Sequence, residues 1–369
     1  MKKHILILSL FLGVLAHAGD PAPAQTGFFR GSQGFSGLHA ELWRYAGQST
    51  GEFVLPIYYS IGLKNVAPGL ALDVVTSPTL ALQAGAATNT LFRVAGSKLR
   101  ASYNFNNLFL ATAGVQVPTG SNTLSQSEQS VAGAISTPQM AFKITDMQSG
   151  VNGSFSLASS IQVDDDLVVG AAVGGLVRSE FIPVKDAKAF NPGDELTATL
   201  GADYTLQLSG SRLTLMGEYL FSYYTWDRSG NIAFYHAAPR HGINLRADHK
   251  PVQGVRNLAA LAFNLYGKNR QLVAGSITNK VRSDIFLLND YLYFPAVRNM
   301  FPYALVTANV FTEGGSGTGK AVVGGLGGGG AWQMSRAMVI RGQAVLQGGA
   351  MNRTPLYGIE LNGGVQYVF

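Results

Sequence analysis

The chain has 369 residues, 47% hydrophobic and 13% charged, with 27 Lys and Arg against 21 Asp and Glu and no cysteine. Lacking cysteine excludes disulfides, thiolate metal sites and cysteine nucleophiles, and the mild net charge of +6, with no basic block, gives no footprint for nucleic acid. Soluble domains carry about 25% charge and membrane helices need runs of about 20 apolar residues, so a chain this apolar, with no such run after its first 18 residues, must disperse its hydrophobic side chains in another pattern.

Residues 1–18 read as a secretory signal peptide. Lys2, Lys3 and His4 open it, Ile5 to Ala16 form its apolar core, and Ala16-His17-Ala18 is a small-residue cleavage site. Removing Lys2 and Lys3 leaves 25 basic residues against 21 acidic, a net +4. Residues 19–35 then form a short periplasmic segment, and 36–369 the folded body.

From there period-two alternation recurs, the signature of strands with one apolar and one polar face. Phe53, Leu55, Ile57, Tyr59, Ile61 and Leu63 share one phase, and Val151 to Val163 alternates against Asn152, Ser154, Ser156, Ser160 and Gln162. Leu196 to Leu208 opposes Thr197, Thr199, Gly201, Asp203, Thr205 and Gln207, and after the turn Ser209-Gly210-Ser211 the pattern resumes from Leu213 to Tyr223. Met338, Ile340, Ala344 and Leu346 stand against Arg341, Gln343 and Gln347. The last segment is the clearest, with Tyr357, Ile359, Leu361, Val365, Tyr367 and Phe369 in one phase.

The implied fold is all-β, a transmembrane antiparallel up-and-down β-barrel. Sixteen strands are expected at 36–45, 53–63, 70–79, 97–105, 108–118, 150–163, 167–181, 195–208, 212–226, 240–250, 256–266, 282–293, 301–311, 320–334, 337–348 and 357–369. Alternation is poor in 36–45, 256–266 and 282–293, and 139–145 and 272–277 read as either strands or loop hairpins, so 12 or 14 strands remain open. Short turns (Asn106-Asn107, Asp164 to Asp166, Ser209 to Ser211, Ser335-Arg336) fall at one end, and long connections (Thr119 to Gln139, Ile182 to Asp194, Asp227 to Pro239, Thr312 to Gly319) at the other. That asymmetry places the short turns and both termini in the periplasm. The glycines Gly324, Gly325 and Gly327 to Gly330 fall within one strand, where they would let the barrel bend or another backbone pack closely inside.

Charged residues on the polar phase are expected to line the lumen: Asp73, Lys98, Arg100, Asp203, Glu218, Arg246, Asp248, Arg341 and Glu360. An Arg or Lys facing lipid at mid-membrane costs about 2–4 kcal/mol. Both signs occur, which predicts pairing across the lumen. The histidines after the leader are His39, His236, His241 and His249. His236 and His241 flank a loop near Asp227 and Ser229, the best place for a barrel-embedded hydrolase, but no H-E-x-x-H or similar spacing surrounds them. No catalytic residue, cofactor or metal site is therefore expected, and the role of His236 and His241 stays open. Tyr367 and Phe369 resemble the terminal signal by which the outer-membrane assembly machinery recognises its clients.

Phe53-Val54-Leu55-Pro56-Ile57-Tyr58-Tyr59-Ser60-Ile61-Gly62-Leu63 and the stretch from Lys98 to Val117, ending Val117-Pro118-Thr119-Gly120-Ser121, resemble an outer-membrane barrel family of meta-pathway phenol-degradation proteins, distantly like hydrocarbon and fatty-acid channels. The match covers about a third of the chain and implies passage of small hydrophobic or aromatic molecules across the bacterial outer membrane. The hydrocarbon channels carry a folded N-terminal plug; here Gly19 to about Gln33 suffices only for a short inserted tail. The expected function is a channel in the lipid bilayer for such solutes, with no nucleic-acid partner. The alternative is a structural or surface-interaction barrel using its long outer loops.

Overall fold

A computed structural model describes residues 32–368 except 64–66, 86–87, 106–107, 120–122, 141, 144–149, 273–276, 281 and 315–318. The expected signal peptide, most of segment 19–35 and Phe369 lie outside the described residues.

A 16-strand antiparallel barrel closes on itself. In chain order its strands are β1 (Gln33–Tyr45), β2 (Gln48–Val54, continued by Ile57–Gly62), β3 (Leu70–Ala84), β4 (Thr88–Phe105), β5 (Phe109–Val117), β6 (Asn152–Gln162), β7 (Leu167–Val177) and β8 (Glu195–Leu208). Then follow β9 (Ser211–Tyr224), β10 (Arg240–Lys250), β11 (Arg256–Tyr266), β12 (Ile285–Tyr293), β13 (Met300–Phe311), β14 (Ala321–Ser335), β15 (Met338–Met351) and β16 (Thr354–Val368). Each pairs with the next, and β16 pairs with β1 from Gln33↔Val368 to Tyr45↔Leu356. Closure removes both sheet edges, which is the condition for strands to sit in hydrocarbon. β2 keeps one register with β1 across its break, His39↔Val54 and Ser36↔Ile57, because Pro56 only removes a donor while its carbonyl still accepts from Gly37 at 3.0 Å.

Alternation sorts the side chains as the sequence predicts. Leu200 (61% exposed), Leu326 and Leu346 (both 67%) point away from the barrel, and Tyr357, Phe92, Phe155 and Tyr367 share that outer face. On the inner face, Trp43, Ala81 and Leu91 meet Phe311, Val323, Met351 and Leu356 in one buried cluster. These residues lie up to nearly halfway round the ring, so they can meet only through its interior.

What fills that interior is the β5–β6 connection, which the sequence reading treats as an outer loop. It carries α1 (Gln126–Ile135), capped by Ser125, whose Oγ accepts from the Glu128 N–H while Glu128 Oε2 accepts from the Ser125 N–H at 2.8 Å. Val131 and Ile135, four residues apart on one helical face, are fully buried in the cluster, followed by Met140 and Phe142. A three-residue turn, Pro138–Met140, ends the excursion, so the 139–145 stretch does not begin as a strand.

The end bearing the termini has the short turns foreseen at 164–166, 209–211 and 335–336, Asn106-Asn107 lying outside the described residues, but the opposite end is not uniformly long-looped. There 46–47 and 352–353 join β1 to β2 and β15 to β16 as two-residue turns. The backbone is left-handed at Ala46 and Gly47 (φ 49° and 80°) and at Asn352 and Arg353 (φ 51° and 69°), as a hairpin turn matched to strand twist requires. The β7–β8, β9–β10 and β11–β12 connections build a second, five-stranded sheet from Phe190–Asn191, Trp226–Ser229, Ile232–His236, Asn269–Gln271 and Ile277–Asn279. Of the 272–277 stretch, 273–276 lie outside the described residues, and Ile277 begins the short strand that pairs with Asn269–Gln271.

Candidate functional site

The lumen is narrowed from one side. From between β5 and β6 the chain crosses to the opposite wall, where the buried Gln139 side chain donates to the Gly319 carbonyl, between β13 and β14, at 3.0 Å. Arg93 on β4 pairs with Glu128 on α1 at 2.9 Å, and Ser130 donates to Gln83 on β3 at 2.9 Å. Leu124 exchanges backbone bonds with Pro183 and Lys185 of the β7–β8 connection. Burial disfavours the Glu128 charge, but the Ser125 N–H and hydroxyl and the Arg93 guanidinium outweigh it and hold the carboxyl below its ordinary value.

The predicted lumen residues separate into groups. Asp73 takes two bonds from Arg100, 2.7 and 2.8 Å, and one from Tyr58 Oη at 3.3 Å, while Lys98 lies exposed two residues along the same strand face as Arg100. Asp203 and Arg246 lie in one row across β8, β9 and β10 through Met216, and Glu218 accepts from Asn244 at 2.9 Å. Asp248 accepts from two Arg256 nitrogens, Nε at 2.7 Å and Nη2 at 2.6 Å. Arg341 donates to Gln366 at 2.9 Å, and Glu360 accepts from Asn362 at 2.8 Å and Gln347 at 3.2 Å and faces Lys143 Nζ at 3.3 Å. Pairing therefore runs mostly along the wall between neighbouring strands, where sequence reasoning expected it across the lumen. Of this set, Glu360 also pairs inward, with Lys143 on the inserted segment.

Tyrosines form the feature that sequence reasoning missed. Tyr291 and Tyr293 on β12 and Tyr303 on β13 cluster with ring centroids 5.2 to 6.2 Å apart, and the Arg256 guanidinium lies 5.7 Å from the Tyr293 ring centroid. The glycines of β14 make room for it. A Cβ on Gly329 would sit 2.6 Å from Tyr303 Oη, and closer still to the Gly342 carbonyl oxygen. Tyr303 thus lies across β14 to donate to Gln343 on β15 at 2.8 Å. The close neighbours of this glycine run thus include both backbone, the Gly342 and Ala344 carbonyl oxygens of β15, and the Tyr303 side chain. Trp43 uses Gly358 in the same way.

Among the described residues, His236 and His241 contact aromatic rings and a tyrosine hydroxyl. His236 packs on Trp226 and Tyr223, and His241 Nδ1 lies 2.8 Å from Tyr219 Oη beside the Phe221 ring. Asp227, the neighbouring acid, accepts from the Gly193 N–H at 2.6 Å, and burial pushes its carboxyl above the ordinary range.

No family model and no curated protein matches the chain, so the resemblance to the phenol-degradation family is not confirmed. Solved structures share its outline. Pseudomonas aeruginosa OccK11 (OpdR) matches at 7% identity over 93% of this chain and 99% of that one, with a TM-score of 0.48. Pseudomonas putida OprB matches at 8% over 92% and 94%, TM-score 0.47, and the CymD monoaromatic hydrocarbon channel at 11% over 92% and 89%, TM-score 0.42. At these values the likeness assigns neither substrate nor mechanism.

Proposed function

We propose that this barrel is a bacterial outer-membrane channel for small aromatic solutes bearing a polar group, with both termini periplasmic. The observation that carries the reading is the β5–β6 segment, anchored on opposite walls. A ring of 16 strands is too wide to fill with its own side chains, and an inserted segment reduces such a lumen to molecular dimensions. The substrate class follows from the Tyr291–Tyr293–Tyr303 cluster with Arg256 beside it. Stacking and a guanidinium suit an aromatic ring with an anionic or hydroxyl substituent better than a plain hydrocarbon. Flux into proteoliposomes tests it: a phenolic carboxylate should enter faster than a neutral sugar of similar mass, and Tyr291→Leu with Tyr293→Leu should erase the difference. Equal rates in the wild type would contradict the substrate class. The second reading, a surface-interaction barrel, draws on the five-stranded loop sheet; it predicts ligand binding by that sheet and no solute flux.

A further inference from the structure

Beyond transport, we infer that His39, Glu41 and Glu52 form a binding site for a zinc-like divalent cation inside the barrel. His39 and Glu41 sit two residues apart on β1, hence on one face, and Glu52 lies opposite Glu41 on β2. Their ligand atoms all lie within 4.8 Å of one another, and the three residues are 4%, 2% and 0% exposed. Three carboxylates adjoin in this row, because Glu41 is also paired with Glu360 on β16.

The hydrogen bonds decide what the site can hold. Asn362 Nδ2 donates to Glu360 at 2.8 Å, which turns the Asn362 oxygen toward His39 Nδ1 at 2.5 Å. An oxygen there requires Nδ1 to be the protonated nitrogen, so the neutral ring carries its lone pair on Nε2. That Nε2 is buried without a hydrogen bond and faces Glu41 Oε2, itself buried without one, at 3.4 Å. Two facing acceptors repel unless a proton or a metal cation lies between them, and the two carboxylates beside His39 favour the cation. A cation about 2.0–2.2 Å from each ligand atom, the reach of a zinc ion, fits a ligand pair 3.4 Å apart.

The surroundings resemble the outer shell of a metal site, in which each ligand is held by a neighbour. Asn362 orients His39, Trp43 Nε1 donates to Glu41 Oε1 at 2.8 Å, and the Lys143 N–H donates to Glu52 Oε2 at 2.8 Å. One imidazole and two carboxylates suit zinc or its neighbours, whereas calcium and magnesium favour more oxygen ligands. Sequence spacing gave no metal motif because the ligands come from two strands and meet only through their register.

The test uses the refolded full-length mature barrel, stripped with a chelator and titrated with Zn2+ alone. One ion per chain is expected, with His39→Gln abolishing it, Asn362→Ala weakening it about 10–100-fold, and a variant replacing His236, His241 and His249 binding normally. Co2+ added to the wild type should give the visible spectrum of a four- or five-coordinate ion with a nitrogen ligand, a readout that needs no variant to fold. No stoichiometric zinc, retention by a correctly folded His39→Gln, loss in the variant lacking the other histidines, Ca2+ binding as tightly as Zn2+, or a six-coordinate Co2+ spectrum would each overturn the site. No or unspecific binding would leave a proton as the charge between His39 and Glu41. Solute flux is read separately, so failure of either result leaves the other standing.

Discussion

Single residues are governed here by which face of the wall they occupy. Leu200→Arg places a guanidinium in lipid and should cost about 2–4 kcal/mol of insertion near mid-membrane, whereas Thr199→Arg, one residue away on the inner face, should fold normally and change conductance. Heat-modifiable gel mobility reads the first and bilayer current the second; equal damage would refute the alternation on β8. Glycines follow the same logic. Gly329→Ala drives a Cβ into the Gly342 carbonyl and the Tyr303 hydroxyl and should destabilise the barrel by about 1–3 kcal/mol in urea unfolding, while Gly363→Ala, whose nearest atom would be 3.9 Å away, should be silent. The faces of Leu200 and Thr199 were legible in the sequence because two-fold alternation is a local property. The Tyr303–Gly329–Gln343 arrangement was not, since it joins three strands whose alignment emerges only from the closed register. Likewise β1 reads poorly in sequence because Trp43, an apolar residue, faces inward with His39 and Glu41 to meet α1.

At the scale of elements, the strands were nearly all readable and the inserted segment was not. Each of the predicted strands corresponds to one in the barrel, but 48–52, 80–84 and 88–96 extend the strands beyond the predicted bounds, because a turn residue such as Ala46 gives no sign of the left-handed backbone it adopts. The helix did leave a sign. Ser125-x-x-Glu128 is a capping box, and Val131 and Ile135 follow at helical spacing, although a ten-residue helix within a polar loop is easily read as loop alone. Its docking should depend on pH. A carboxyl whose pKa is lowered in the capped and docked helix contributes stability in full above the ordinary carboxyl value of 4.5 and loses it as pH falls through the lower folded-state value. The Ser125 bonds act through capping and the Arg93 pair through docking. Acidification through that range should therefore loosen α1 and raise conductance, and Glu128→Gln should remove this response. A pH profile identical in wild type and variant would show that the Arg93–Glu128 contact does not hold the segment.

Taken as a whole, the molecule has two unlike halves. Buried inner residues such as Trp43, Leu91, Val323 and Leu356 gather on β1–β4 and β13–β16 beneath α1, while Thr197, Thr199, Asp203, Glu218 and Arg246 on β8–β10 remain partly exposed. The proposed conducting path runs along β8–β12 and past the Tyr291–Tyr293–Tyr303 cluster at its border with the buried half, with the loop sheet outside the cell. A cysteine at Ser229, in the loop sheet, should react with an impermeant label on intact cells, and one at Ser211, at the end of the barrel bearing the termini, should not; the reverse pattern would invert the topology. The central claim, that the β5–β6 segment sets the width of an open channel, is tested most directly by single-channel conductance of the wild type beside a variant in which residues 125–140 are replaced by a short Gly/Ser linker. The predicted result is small, discrete conductance steps for the wild type and a several-fold larger step for the variant; equal steps, or silence from both, would contradict it.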